Sequence, residues 1–110
     1  MSSLADLARA AELVSAIPFC GLRIDPVVRR GAHFIIGKSG ADEAATKARY
    51  VPEQYAYWEV IYRSRDAQFI GQLEVALIQK YREMAPNQCD NEQDGGGPGD
   101  DSTYVYLAHD

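Results

Sequence analysis

Apolar residues recur at three- and four-residue spacings near the start of the chain, which is the pattern of one helical face. In SSLADLARAAELVSAIP these positions are Leu4, Leu7, Ala8, Ala11, Val14 and Ile17. Ser3 is placed to cap the helix, with Asp6 three residues on in the capping-box position. Because proline lacks the N–H that a helix interior needs, we expect a helix over residues 2–17 that ends at Pro18.

Three further segments have the apolar, β-branched and aromatic character of strands. They are AHFIIGK (residues 32–38), YAYWEVIYRSR (residues 55–65) and TYVYLAHD (residues 103–110). CGLRI (residues 20–24) is a weaker candidate for a short strand, followed by a connection because Pro26 would interrupt a ladder.

Two segments between these strands have a helical pattern. GADEAATKARY (residues 40–50) combines small helix-forming residues with acids at its start, and residues 65–84 carry an apolar stripe behind Asp66 as N-cap. The order of elements predicts an α+β fold, with a small, mainly antiparallel sheet of about three to four strands flanked by helices. We expect one domain over residues 1–110.

Composition supports a folded globular protein. The 110 residues are 46% hydrophobic and 25% charged, which suffices for a core of its own. Cys20 and Cys89 are the two cysteines, and without a secretory leader they are expected to be reduced thiols. No apolar run approaches the roughly 18 residues that span a bilayer. We therefore expect a cytoplasmic protein with no membrane partner.

Charge is unevenly distributed around a net value of −5. This total argues against a protein that coats nucleic acid electrostatically. Residues 23–65, however, hold eight Lys and Arg against five acids, which leaves room for a local basic face and a weak nucleic-acid contact. A solvated surface of mixed sign is an equal alternative. The basic residues are Arg29, Arg30, Lys38, Lys47, Arg49, Arg63 and Arg65.

Residues 87–102 form an acidic, glycine-rich segment, which starts with NQCDNEQDGGGPGDD. Positions 1, 3, 5, 6 and 12 of a calcium-binding EF-hand loop would be Asp90, Glu92, Asp94, Gly95 and Asp101. Glutamate is unusual at the third position and aspartate at the twelfth, and a strand follows instead of a helix. The loop also lacks the Lys-Ser/Thr ending of a phosphate-binding P-loop. We expect a mobile, solvated connection between a helix and the last strand.

Two segments resemble the GIY-YIG nuclease family. YWEVIYRSRDAQFIGQLEVALIQKY is similar to the second half of that domain, where a strand precedes a helix with one metal-binding glutamate. The resemblance implies that this glutamate is Glu74, with Mg²⁺ or Mn²⁺ as cofactor. HFIIGKSG resembles the strand that carries the "YIG" motif, although Ile35 stands where the family has tyrosine. The resemblance also implies a catalytic cation, for which the candidates are Lys47 and Arg49, and an asparagine, for which they are Asn87 and Asn91.

The end of the sequence, TYVYLAHD, is similar to the first strand of the family's small bacterial members. If this strand closes the sheet from the other end, the domain is circularly permuted, and Tyr106 takes the place of the "GIY" tyrosine. The resemblance then covers residues 32–110 and leaves helix 2–17 as an addition. It implies phosphodiester hydrolysis, in which Tyr106 would activate or orient water and Arg49 would offset charge on phosphorus.

Other functions and other roles for these residues remain open. The same fold could be a catalytically inactive binding or assembly module, and an unrelated α+β domain could bind a small ligand between sheet and helices. Helix 2–17 could cover a sheet edge or form a homo-oligomer contact. Among the candidates, Glu74 could be merely solvated, and Arg49 could extend from a helix end. Tyr104 and Tyr106 alternate with Val105 and Leu107, so one of these two pairs must face the core. We expect His33 to be packed and His109 to have no role.

Overall fold

Three helices and three strands form the part of the chain that the structure describes, which in this computed structural model is residues 3–92, Gly95 and residues 101–110. In chain order the elements are α1 (Leu4–Arg29), β1 (Phe34–Ser39), α2 (Glu43–Ala48), β2 (Tyr57–Arg63), α3 (Ala67–Met84) and β3 (Tyr104–His109). The predicted α+β class and its small antiparallel sheet are confirmed.

The last strand of the sequence lies in the middle of the sheet. The strand order is β1-β3-β2, and β3 is antiparallel to both neighbours. Tyr106 is the Cα partner of Gly37 on one side and of Val60 on the other. TYVYLAHD therefore lies beside β1, which is the condition stated above for a circularly permuted domain.

Helix α1 is longer than its sequence predicts. It continues through Pro18 and Pro26 to Arg29, so the predicted end at residue 17 and the strand over CGLRI are both wrong. A proline inside a helix costs about 3 kcal/mol. The second half of α1 buries Cys20, Ile24 and Val27 completely or nearly so. Burying Ile24 and Val27 alone contributes about 1.5–3 kcal/mol each, which is enough to offset the proline at position 18.

The predicted helix starts are confirmed. Ser3 Oγ accepts from the Asp6 N–H at 3.1 Å, and the Asp6 carboxylate accepts from the Ser3 N–H, which completes the capping box. At the start of α3, the Asp66 carboxylate accepts from the Phe69 N–H at 3.1 Å. Each contact satisfies backbone donors that a helix leaves without a partner.

The hydrophobic core lies between one side of the sheet and the two long helices, α1 and α3. Phe34 and Leu107 from the strands meet Leu73, Leu77 and other residues of α3, all of them fully buried. The Phe34 ring meets the ring of Tyr81 edge-on, with centroids 6.1 Å apart. No helix of the described residues is both long and apolar enough to cross a membrane.

The residues after α3 protect the free edge of β1. The Phe34 N–H donates to the Gln88 carbonyl at 3.0 Å, and the Asp90 N–H donates to the Phe34 carbonyl at 2.8 Å. An open strand edge is a template for unwanted pairing. The first residues of the acidic loop are thus ordered against the sheet, whereas a mobile connection was predicted over residues 87–102. Residues 93, 94 and 96–100 lie outside the described part of the chain.

Candidate functional site

Strand β3 presents hydroxyl groups on the side of the sheet opposite the core. Successive side chains of a strand alternate between faces, so Tyr104 and Tyr106 point away from Val105 and Leu107. Helix α2 and the turn after it pack on this side, which we call the tyrosine side. The partner of Tyr106 on β1 is Gly37, where a Cβ would lie 2.9 Å from Tyr106 Cε1 and closer still to Cζ and Oη. Glycine thus leaves the space that the Tyr106 ring fills.

The Tyr106 hydroxyl is buried among other aromatic side chains. It lies 2.6 Å from the Tyr50 hydroxyl, and either group can donate. The Tyr106 and Trp58 ring centroids are 5.5 Å apart. Burial is the largest cause that raises the pKa of Tyr106 far above its ordinary value, followed by the hydrogen bond to Tyr50. The hydroxyl therefore keeps its proton at any physiological pH.

Two predicted site residues act on Tyr106 from different elements. The negative charge of Glu74, on α3, raises the pKa of Tyr106, and the positive charge of Arg49, at the C-terminal cap of α2, lowers it. A negative charge disfavours the ionised phenolate, and a positive charge favours it. Both charges therefore act on the Tyr106 hydroxyl, although the three residues are far apart in sequence.

Glu74 is buried, with 7% of its surface exposed, so the alternative of a merely solvated glutamate is wrong. Its helix places it next to the core residue Leu73, and it lines an open cleft at the β1 edge, which we call the Glu74 cleft. The residues lining it are Ile35, Gln54, Tyr55, Glu74, Ile78, Asp90, Asn91, Glu92 and Gly95.

The two candidate cations occupy different places. Arg49 is exposed, but its charge reaches Tyr106. Lys47 is also exposed and lines a separate depression with Arg30, Trp58 and His109. Of the two cations, Arg49 is therefore the one whose charge affects the pKa of Tyr106.

The two candidate asparagines also differ. Asn91 lines the Glu74 cleft, and its side-chain amide holds the free edge of β1, since it accepts from the Ile36 N–H at 3.0 Å and donates to the Ile36 carbonyl at 2.8 Å. Asn87 is exposed in the turn after α3 and is not among the cleft residues. Asn91 therefore positions β1 at the wall of the cleft.

A chain of polar side chains crosses the same cleft and was not predicted. The Tyr55 hydroxyl donates to one Asp90 oxygen at 2.6 Å, and His33 Nδ1 lies 3.0 Å from the other. The His33 side chain is 56% exposed, so the expectation of a packed histidine is wrong. Burial first, and then Asp90, raises the pKa of Tyr55 far above its ordinary value. Because 35 residues separate Tyr55 from Asp90, no local spacing could have indicated the pair.

The other histidine also has neighbours. His109 is the last residue of β3, with its ring centroid 5.3 Å from that of Tyr57 and its Nδ1 3.4 Å from Arg30 Nη2. His109 is therefore part of the last strand, and the expectation that it has no role stays a prediction.

A divalent cation would depend on few protein ligands here. Within residues 3–92, Gly95 and 101–110, no three His, Cys, Asp or Glu side chains are grouped to hold a metal ion. Mg²⁺ is commonly held by one or two carboxylates together with water and substrate phosphate oxygens, so Glu74 in an open cleft fits such an ion. For the calcium-loop pattern, Asp90 is already bonded to Tyr55 and His33, and Asp94 lies outside the described residues.

Two of the basic residues, Arg30 and Arg63, lie at opposite ends of β2. Arg30 bonds to the carbonyl of Asp110 beside one end of β2, because Tyr57 is the partner of His109 there. Arg63 is at the opposite end of β2, where Glu43 pairs with its guanidinium. A seven-residue strand is about 20 Å long, so these charges are separated by more than a Debye length.

Comparison with known proteins finds no match to this chain among protein-family models, curated proteins or solved structures. The geometry of the site and the resemblance of the motifs are therefore the basis on which function is inferred.

Proposed function

We propose that this chain is a divalent-metal-dependent phosphodiester hydrolase of GIY-YIG type, with Glu74, Arg49 and Tyr106 at its site. The observation that carries the proposal is the buried Glu74 at the wall of an open cleft, together with the charges of Glu74 and Arg49 that act on the buried Tyr106 hydroxyl. The resemblance implied Glu74, Tyr106 and either Lys47 or Arg49 from the sequence motifs alone.

The three residue types suit the chemistry of a phosphodiester. When bound, Mg²⁺ or Mn²⁺ would polarise the scissile phosphate and stabilise the leaving oxygen. Glu74 supplies a carboxylate for that ion from a helix that is packed in the core. Arg49 carries a planar guanidinium, which binds phosphate oxygens in pairs and offsets their charge.

Tyr106 has a narrower role than a general base. Its raised pKa keeps the phenol protonated near neutral pH, so the ionised form is too rare to accept a proton from water. A neutral hydroxyl that shares a hydrogen bond with Tyr50 can still orient a water molecule. We therefore assign Tyr106 to positioning the attacking water.

The test is cleavage of plasmid and branched DNA with Mg²⁺ or Mn²⁺. The wild-type chain should cleave, and Glu74→Gln should lower the rate by at least about 100-fold, since it removes the carboxylate that would hold the ion. Glu83→Gln is the matched control, because Glu83 is an exposed glutamate of the same helix. Equal rates for the two variants, or no cleavage by a folded wild-type chain, would contradict the proposal.

A second candidate function is a binding module of the same fold without catalysis. The Glu74 cleft carries the side chains of Asp90 and Glu92 as well, and this concentration of acids disfavours an approaching phosphodiester. In that case the cleft would take a basic or neutral ligand. Salt-sensitive binding to a lysine- or arginine-rich peptide, together with no cleavage of DNA, would favour this second function.

A further inference from the structure

Helix α1 has two apolar sides, of which the fold uses one. Ala16, Cys20, Ile24 and Val27 face the core and are buried. The large apolar side chains on the other side are between 57% and 86% exposed. They are Leu4, Leu7, Val14, Phe19 and Leu22. A surface helix normally presents polar residues to solvent, so this outward side resembles a buried surface that is not covered.

The outward residues form one continuous line. Leu4, Leu7, Ala11, Val14, Pro18 and Leu22 follow each other at intervals of three or four and are all exposed. We call this line the outer stripe. At 1.5 Å per residue it is about 28 Å long, and its 3–4 spacing is that of a seam between paired helices.

The charged residues of this part of α1 form hydrogen bonds within the same chain. Arg9 donates two hydrogen bonds to Asp66, at 3.1 and 3.2 Å, and Glu12 accepts from the Tyr62 hydroxyl at 3.2 Å. Asp6 completes the capping box. From residue 4 to residue 22 the sequence has no other charged residue, so the outer stripe is uncharged along its whole length.

We propose that the outer stripe is the contact between two copies of this chain, with α1 packed antiparallel to α1 about a two-fold axis at Ala11. Around that axis Leu7 of one copy meets Val14 of the other, and Leu4 meets Pro18. Large residues then face each other, and the small side chain of Ala11 lies on the axis, where two identical residues must approach closely. This inference is independent of any catalytic activity.

The area is sufficient for such a pair. An exposed aliphatic side chain offers on the order of 100 Å², so the three large residues of the outer stripe that face the other copy, Leu4, Leu7 and Val14, provide roughly 300 Å² per copy. Ala11, Pro18 and the neighbouring Phe19 add to this, and the pair therefore approaches the roughly 1,000 Å² that a specific interface requires.

A lipid surface is a less suitable occupant. Helices that lie on membranes carry Lys and Arg beside their apolar face, and anionic lipids attract those charges. Here the residues beside the outer stripe include Asp6 and Glu12, and the chain has a net charge of −5. These acids would repel anionic lipids, whereas the stripe of a second copy is itself uncharged.

Sedimentation equilibrium of the full chain over a range of concentrations tests the proposal. The wild-type chain should be a dimer, and Leu7→Glu and Val14→Lys should each raise the dissociation constant about 30-fold or more, because each buries an unpaired charge. Met84→Glu is the matched control, since Met84 is equally exposed on α3 and lies outside the outer stripe. It should remain dimeric.

The double variant Leu7→Glu/Val14→Lys tests the orientation. In the antiparallel pair each glutamate faces a lysine of the other copy, so the double variant should dimerise more tightly than either single variant. A wild-type chain that stays monomeric, with or without binding to phosphatidylserine vesicles, would overturn the proposal, as would a Leu7→Glu variant as dimeric as Met84→Glu. A double variant no tighter than the single ones would overturn the antiparallel arrangement.

Discussion

The two sides of strand β3 are held in place by different forces. On the core side, Val105 and Leu107 are fully buried among aliphatic side chains of the helices. On the tyrosine side, the Tyr104 hydroxyl donates to the Ala41 carbonyl at 2.8 Å, and the Tyr106 and Tyr50 hydroxyls are hydrogen-bonded to each other at 2.6 Å. The free energy gained by burying apolar side chains is large and does not depend on their orientation. A buried hydroxyl group, in contrast, is stable only with a hydrogen-bond partner at the correct distance. The core side therefore supplies stability, and the tyrosine side supplies fixed polar groups for a site.

The largest effect is expected on the core side. Leu107→Ala should lower the free energy of unfolding by about 2–5 kcal/mol, because it removes buried methyl groups and leaves a cavity in the middle strand. Urea unfolding measures this change. Met84→Ala is the control, since Met84 is more than half exposed, and it should change stability by about 0.5 kcal/mol or less. Similar losses for both variants would show that Leu107 is not part of the core.

Gly37→Ala should give the next largest effect, on the tyrosine side. The new Cβ would meet the Tyr106 ring at 2.9 Å or less, so the ring must move away from Tyr50, at a cost of about 1–3 kcal/mol. Any cleavage activity should fall with it. Tyr106→Leu removes the obstructing ring, so the two substitutions together should cost clearly less than the sum of their separate costs. Costs that add within about 0.5 kcal/mol would mean that the ring is not the obstacle.

The fold could be predicted from the sequence to a larger extent than the site. Apolar, β-branched and aromatic segments identify β1, β2 and β3, and a period of about 3.6 residues identifies α3. The end of α1 was wrongly predicted at Pro18, because the burial of Ile24 and its neighbours is a tertiary effect. It outweighs the local preference against proline inside a helix. The local sequence carries no sign of that burial.

The site depends on contacts between residues that are distant in sequence. Tyr50 and Tyr106 are 56 residues apart, and nothing in KARYVPEQY indicates that Tyr50 meets the last strand. Glu74 and Arg49 were identified through family motifs, and the effect of their charges on Tyr106 became visible only in the fold. Burial of Glu74 was missed because its helical position is at the border of the apolar stripe, where the pattern permits either environment.

A smaller difference is expected between two buried tyrosines, one on each side of the sheet. Tyr106→Phe should cost about 0.5–1.5 kcal/mol, because it removes a hydrogen bond between neutral groups. Tyr81→Phe, on the core side, should cost more, since the Tyr81 hydroxyl donates to the Asp25 carboxylate at 2.6 Å and bonds to charged groups are stronger. Urea midpoints near neutral pH measure both. A larger loss for Tyr106→Phe would reverse the comparison.

The same two tyrosines predict a loss of stability in alkali. The pKa of each is raised in the folded chain, mainly by burial, whereas in the unfolded chain it is about 10. Between these values the folded chain binds more protons, so stability is complete below about pH 10 and falls as the pH rises further. Urea midpoints at about pH 8 and about pH 11 should show this fall, and each Phe variant should reduce it. An unchanged fall in Tyr106→Phe would contradict the raised pKa of Tyr106.

The smallest effect is expected for a second glycine-to-alanine substitution, this time on α3. Gly71 is inside that helix, where alanine is favoured by up to about 1 kcal/mol, and the new Cβ would lie 3.3 Å from Lys38 Nζ. An ammonium at the end of a flexible side chain can move by a few tenths of an ångström, unlike the Tyr106 ring opposite Gly37. We therefore expect Gly71→Ala to raise the melting temperature by a few degrees while Gly37→Ala lowers it. Thermal unfolding of the two variants side by side checks this, and a loss of stability in Gly71→Ala would mean that Lys38 is held as firmly as the tyrosine ring.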